Sequence, residues 1–171
     1  MKWWDDIWLN EGFATYMSYF AGEHLYPQWE FWKSYIVSYM LMALDCDSLA
    51  RTHPVHVKIG RPSEVNEIFD DVTYSKGSAV VRMLAAFLGP EKMRDGLKVY
   101  LNRFLYGNTQ ADDLWKALSD VSGHDIKKMM DSWIMNPGYP LLSVTKVDDS
   151  SIKIERKRMH SSGRTDDSKY I

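Results

Sequence analysis

The chain has 171 residues, 45% of them hydrophobic, and a formal net charge of −2. This is enough apolar material for the core of one domain, or of one domain and a small part of a second. Because acidic and basic residues are intermixed, the composition disfavours nucleic acid or an anionic membrane as a partner. There is also no apolar run of about 18 residues, which a membrane-spanning helix needs. Cys46 is the single cysteine and cannot form an internal disulfide, which is typical of a reducing compartment.

The first predicted helix places Glu11 on a face of small side chains. With about 3.6 residues per turn, Glu11 shares that face with Ala14, Thr15, Ser18 and Gly22. Two interpretations are open: Glu11 caps the start of the helix, favoured by the N-terminal dipole, or it binds a metal. A catalytic zinc usually takes three protein ligands, so one carboxylate is weak evidence. The separate apolar stripe at helical spacing comprises Leu9, Phe13, Tyr16, Met17 and Phe20.

Periodic aromatic and aliphatic residues between Trp29 and Leu44 predict a buried helix. The following stretch loses this periodicity up to Pro62, which predicts an irregular connection with a short extended piece at Val55 to Ile59. His53 and His56 lie in this connection. Pro54 between them breaks the helix that could align two metal ligands, so we do not expect these histidines to bind a metal.

Tyr74 lies at the beginning of another predicted helix. Asp70 and Asp71 can cap this helix, whose apolar positions continue to a stop at Gly89-Pro90. A tyrosine at this place is either a half-buried packing residue or a hydrogen-bond donor to an oxyanion in acyl transfer.

Three more helices are predicted: Lys92 to Leu105, a helix that ends at Gly123, and Asp125 to Met135. Thr109 to Asp112 resembles a capping box with Asp in place of Glu at the start of the second of these helices. Asn136-Pro137-Gly138 stops the last one. Their expected core residues include Leu114, Trp115, Leu118, Val121, Ile126, Met129, Met130, Trp133 and Ile134.

After Tyr139-Pro140 the apolar period changes to two, which predicts a two-stranded ribbon. Its strands flank a turn at Asp148 to Ser151. The polar tail from His160 to Ile171 is expected to be mobile. The predicted fold class is therefore mainly α with a short β-ribbon, divided into residues 1–138 and 139–171.

The ordered motifs of the chain resemble the M1 family of zinc aminopeptidases, most of all its puromycin-sensitive and aminopeptidase N types. The similarity covers about residues 1 to 147. The motifs that carry it are Met1-Lys2-Trp3-Trp4, Trp8-Leu9-Asn10-Glu11-Gly12-Phe13-Ala14, Phe69-Asp70-Asp71-Val72-Thr73-Tyr74-Ser75-Lys76-Gly77, Tyr106-Gly107-Asn108 before Asp113-Leu114-Trp115, and Trp133 before Pro137-Gly138-Tyr139-Pro140.

The resemblance implies the helical half of a thermolysin-like catalytic domain, followed by the start of a β domain. It implies that Glu11 is a zinc ligand that also helps to hold the free α-amine of a peptide substrate. Tyr74 is implied to be the catalytic residue that donates a hydrogen bond to the oxyanion. The implied cofactor is one zinc ion, and the implied activity is removal of single N-terminal residues from peptides.

The 171 residues contain neither HExxH nor GxMEN, the motifs that carry the family's other zinc ligands, its general base and its amine-binding glutamate. We therefore expect the chain to be an inactive fragment of an aminopeptidase. The alternative is a non-catalytic helical module of the same family that binds a partner. A cytoplasmic location is expected from the single cysteine and from analogy with the family.

Overall fold

The computed structural model describes residues 1–163, so residues 164–171, most of the tail expected to be mobile, lie outside the described part. Two π-helical turns, Ile36–Met40 and Val72–Lys76, lead directly into the helices that follow them. Two strands form an antiparallel sheet: β1 (Pro140–Lys146) and β2 (Ile152–Arg158). The expected class, mainly α with a small β-ribbon, is confirmed. The α-helices are α1 (Ile7–Leu25), α2 (Phe31–Tyr35), α3 (Leu41–Asp47), α4 (Gly77–Arg103), α5 (Ala111–Ser122) and α6 (Ile126–Ile134).

The main core lies where α1, α4, α5 and α6 pack together. Trp8 of α1 stacks on Trp115 of α5 with ring centroids 6.2 Å apart, and both side chains are buried. Burial of such large rings is a major source of stability. Leu84, Leu118 and Met130 are also buried in this cluster, whereas Val121, another expected core residue, is partly exposed and does not belong to it.

The segment from Trp29 to Leu44, predicted as one buried helix, differs from that prediction in its backbone and in its exposure. The chain first makes a 3-10 turn, Pro27–Trp29, and Glu30 then adopts a left-handed backbone with φ of 51°. From Phe31 to Asp47 the chain is helical, with the π-helical turn in the middle. Tyr35 and Ala43 are buried, but much of the remaining apolar surface is exposed, because periodicity cannot tell which element covers a helix face. The exposed apolar residues are Ile36, Val37, Leu41 and Met42.

Gly89 separates the two helices predicted on either side of Gly89-Pro90, which form the single bent helix α4. Its φ of 76° and ψ of 163° break the helix, and Pro90 begins the second half. Glycine accepts this left-handed backbone without a steric cost.

The capping interaction at α5 lies one residue later than the sequence suggested. The backbone N–H of Gln110, rather than that of Thr109, donates to Asp113 Oδ2 at 2.9 Å.

The β-ribbon has one apolar face. Val144 pairs with Ile154, and Lys146 pairs with Ile152. Because side chains on this face come from directly opposed positions, Val144, Ile152 and Ile154 lie together, and each of them is exposed. Within residues 1–163, no helix combines the length and the hydrophobicity that crossing a bilayer requires.

Candidate active site

The candidate site lies where α1 crosses the start of α4, and glycine is required at this crossing. A Cβ atom on Gly12 would lie 2.7 Å from the carbonyl carbon of Gly77 and 2.8 Å from the backbone nitrogen of Ser78. A Cβ atom on Gly77 would lie 3.3 Å from the carbonyl oxygen of Trp8. The two backbones are therefore in direct contact, which excludes a side chain at Gly12 and leaves little room for one at Gly77.

This crossing brings together the two residues that the sequence singled out, Glu11 and Tyr74. Glu11 precedes Gly12 on α1, and Tyr74 lies in the π-helical turn before Gly77. The Glu11 carboxylate lies close enough to the phenol of Tyr74 to raise its pKa. Both side chains are partly exposed, so a ligand can reach them. The amide of Asn10 also donates to Glu11 Oε1, at 3.1 Å.

The environment of Tyr74 keeps its phenol in the protonated form. Burial and the neighbouring Glu11 carboxylate raise the pKa of Tyr74, since both disfavour the phenolate. The side chain therefore remains a hydrogen-bond donor at neutral pH. A partly exposed phenol beside a carboxylate can donate to that carboxylate or to an oxygen atom of a bound substrate.

The turn that carries Tyr74 is capped by Asp70, as the sequence predicted. Asp70 Oδ1 accepts hydrogen bonds from the backbone N–H groups of Val72 and Thr73, each at 3.0 Å. Its other oxygen, Oδ2, lies 2.6 Å from His53 Nε2, and His53 Nδ1 lies 2.7 Å from the carbonyl oxygen of Pro54. The hydrogen bond with Asp70 raises the pKa of His53, burial acting against it. His53 is thus a support for the cap, a role that its place in the sequence did not reveal.

Lys76, at the end of the same turn, is buried with its side chain 7% exposed. Its ammonium nitrogen lies 2.7 Å from Asp47 Oδ2 at the end of α3. It also donates to the carbonyl oxygens of Gly138, at 2.9 Å, and Asn136, at 3.3 Å. We did not predict this interaction from the sequence. A signal was present, however, since Lys76 stands among the small and β-branched residues that open a buried helix.

The histidines of the irregular connection lie beside separate carboxylates. His53 contacts Asp70, whereas His56 Nδ1 lies 3.5 Å from Asp6 Oδ1. Asp6 also accepts a hydrogen bond from the backbone N–H of Ala111, at 3.1 Å. Each histidine therefore connects the irregular segment to a different part of the helical body.

A zinc ion fits these residues only in part. Glu11 presents a partly exposed carboxylate oxygen donor, which is a suitable zinc ligand. Across the described residues 1–163, no three side chains of His, Cys, Asp or Glu lie close enough together to hold a metal ion. Glu11 can thus be one ligand of a zinc site whose other ligands do not come from the described part of the chain.

Comparison with protein families gives the relationship directly. The family model described as "Peptidase family M1 domain" matches residues 1–133. The chain belongs to peptidase family M1. Both Glu11 and Tyr74 lie within the matched residues, as do Gly12, Gly77 and the buried Lys76.

Curated relatives support membership of the M1 family over nearly the whole chain. "Aminopeptidase 2" of Candida albicans is 43% identical over 163 residues, which is 95% of this chain and 18% of that protein. "Leucyl aminopeptidase" of Saccharolobus solfataricus is 41% identical over 170 residues, 99% of this chain and 22% of that protein. "Tricorn protease-interacting factor F2" of Thermoplasma acidophilum is 47% identical over 146 residues, which is 85% of this chain and 19% of that protein. The chain thus spans about a fifth of the length of the relatives it matches.

Proposed function

We propose that this M1 family chain is part of a zinc-dependent aminopeptidase that hydrolyses N-terminal residues from peptides, and that it is inactive alone. The packing of Gly12 against Gly77, which brings Glu11 near Tyr74, carries this proposal. Two separate segments place a potential zinc ligand beside a protonated phenol, an arrangement that peptide hydrolysis at a metal can use. The names of the M1 relatives, several of which are aminopeptidases, support the same activity.

In this proposal Glu11 has two roles and Tyr74 has one. The Glu11 carboxylate would bind the zinc ion and help to hold the α-amine of the substrate. When bound, zinc supplies the Lewis acidity that activates water and polarises the scissile carbonyl. Tyr74 would donate its phenolic hydrogen to the oxygen that becomes negatively charged in the transition state. Its raised pKa suits this role, because a phenolate could not donate.

Residues 139–171 would begin a β domain, and further strands would cover the exposed apolar face of the ribbon. Upstream residues would supply HExxH and GxMEN. Peptides with a free N-terminus would be the substrates, and the protein would be cytoplasmic.

The purified 171-residue chain tests the predicted inactivity. We expect no stoichiometric zinc by metal analysis and no hydrolysis of a leucine arylamide. Stoichiometric, tightly bound zinc together with robust turnover by this chain would contradict the proposal.

A longer polypeptide tests the positive part. If the upstream reading frame encodes HExxH with eighteen residues between its second histidine and Glu11, as the family's motif requires, the corresponding protein should bind zinc and cleave the arylamide. Glu11→Gln should then remove zinc, while Glu30→Gln, at an exposed glutamate of the segment between α1 and α2, should not. Retention of full zinc content and activity by Glu11→Gln would exclude the assigned role.

A further inference from the structure

Lys76 connects the turn that carries Tyr74 to two distant parts of the chain. Its ammonium group has three hydrogens, and three acceptors surround it: Asp47 at 2.7 Å, Gly138 at 2.9 Å and Asn136 at 3.3 Å. Two of these contacts are hydrogen bonds and the third is an ion pair, so three polar groups hold the ammonium in place.

Asp47 is fixed equally well on its other side. Asp47 Oδ1 accepts a hydrogen bond from the backbone N–H of Gly138, at 2.8 Å, and another from the Thr52 hydroxyl, at 2.9 Å. The side chain is 1% exposed. The turn after α6 therefore closes on both members of the ion pair, through the N–H and the carbonyl oxygen of Gly138.

Stability alone does not explain a buried pair of this kind. Removing two charges from water costs several kcal/mol per ion, and well-packed apolar residues often replace such pairs without loss of stability. Apolar contacts are not directional. Hydrogen bonds are, so those of the ammonium group fix where the backbone of Lys76 lies. The geometry thus points to a role in placing the neighbouring residues.

We propose that Lys76 is a positioning residue. Its buried ion pair with Asp47 holds the Val72–Lys76 turn in π-helical geometry and so keeps the Tyr74 phenol beside the Glu11 carboxylate. In a π-helical turn each backbone hydrogen bond spans one residue more than in an α-helix, and such turns are rare. Relaxation to α-helical geometry shifts the register by one residue, which rotates a side chain by about 100° around the helix axis. The Tyr74 side chain would then no longer lie beside Glu11.

The 171-residue chain tests this placement without any enzymatic activity. The NMR signal of the Tyr74 ring, assigned by its loss in Tyr74→Phe, should shift when Glu11→Gln is introduced. In a Lys76→Met background the same Glu11→Gln change should leave the signal unmoved, because the ring is no longer beside residue 11. If the Lys76→Met chain is folded and the signal still responds to Glu11→Gln, the proposal is wrong.

A control and a second variant make the result specific. Lys127→Met removes another lysine that forms an ion pair, 2.8 Å from Asp112, and should preserve the response of Tyr74. Should Lys76→Met fail to fold, Asp47→Asn removes the charge of the partner while keeping its size. A folded Asp47→Asn chain must lose the response, and an intact response contradicts the proposal. Unfolding of both variants would show that the pair holds the whole fold, which also contradicts a local role.

A second experiment rests on the proposed function and uses the longer, zinc-binding polypeptide. Lys76→Met should lower kcat by up to about 100-fold, as misplacement of a catalytic group can, with KM and zinc content unchanged. The double variant Tyr74→Phe with Lys76→Met should be no slower than Tyr74→Phe alone, since Lys76 acts through Tyr74. Additive losses contradict the proposal. If the unmodified polypeptide hydrolyses nothing, the proposed function fails, and the NMR experiment still decides the role of Lys76.

Discussion

Gly12 and Gly77 let the backbones of α1 and α4 touch, and this contact sets Glu11 beside Tyr74. The closeness of the glycines, with a hypothetical Cβ 2.7 Å from a backbone carbon, leaves no space for a side chain. At Gly12 this requirement is strict, whereas a Cβ atom on Gly77 would make a tight contact of 3.3 Å with the carbonyl oxygen of Trp8.

We expect Gly12→Ala to destabilise the chain by about 1 to 3 kcal/mol, the usual cost of overpacking, because the backbone of α4 must move away. Denaturant unfolding measures this free energy. Gly60→Ala is the matched control: the nearest atom to its Cβ, on Glu64, is 3.6 Å away. That control should change stability by no more than about 1 kcal/mol. Equal effects of the two substitutions would show that the crossing is not tight.

Removal of the Tyr74 hydroxyl should reduce turnover in the longer polypeptide. Loss of an oxyanion donor costs about 2.7 to 4 kcal/mol, or about 10² to 10³ in kcat, so Tyr74→Phe should show a loss of this size. Zinc content should remain unchanged, since the ligand Glu11 is retained. Steady-state kinetics and metal analysis check both points. Tyr106→Phe removes the hydroxyl of a fully exposed tyrosine and should leave the rate unaffected.

The ion pair of His53 and Asp70 predicts how stability depends on pH. The hydrogen bond with Asp70 raises the pKa of His53 above 6.5, burial acting against it. Burial acts to raise the pKa of Asp70, but the hydrogen bonds from His53, Thr73 and Val72 outweigh burial and lower it below 3.8.

The contribution of His53 to the free energy of unfolding is fully present below the pKa that His53 has in the unfolded chain. It is lost as pH rises through the raised pKa of the folded chain. The contribution of Asp70 is present above its unfolded pKa and is lost as pH falls through its lowered folded pKa. The pair therefore stabilises the fold most between about pH 3.8 and 6.5.

We expect His53→Gln to reduce the fall in unfolding free energy that occurs as pH rises above this range. Denaturant unfolding at several pH values measures the fall. His124→Gln, at an exposed histidine whose ring contacts Phe87, should leave the fall unchanged. The explanation fails if both variants have the pH dependence of the unmodified chain.

The cap of α6 gives a prediction at a distance from the site. Asp125 Oδ1 accepts a hydrogen bond from the backbone N–H of Lys128, at 3.0 Å. Asp125→Ala should lower the unfolding free energy by about 0.5 to 2 kcal/mol, the usual cost of losing an N-cap. Asp149→Ala serves as control, because Asp149 is exposed and its ion pair with Lys146 lies in solvent, where such pairs contribute little. A greater loss from the control would contradict this assignment.

The sequence by itself determined the local structure and the candidates for chemistry. Apolar periodicity identified α1, α4, α5 and α6, and Asp70 and Gly123 marked helix ends, because these signals act between residues close in the chain. Ordered motifs identified the M1 family, and with it Glu11 and Tyr74.

Tertiary structure decided which of these residues meet. The contact of Glu11 with Tyr74, the Lys76–Asp47 pair and the support of Asp70 by His53 each join segments far apart in the sequence. Such pairings depend on where helices cross, and periodicity along one helix carries no information about the crossing point. The same reason explains the exposed surface of the Phe31 to Asp47 segment: a sequence shows that a face is apolar, but only the packed chain shows what covers it.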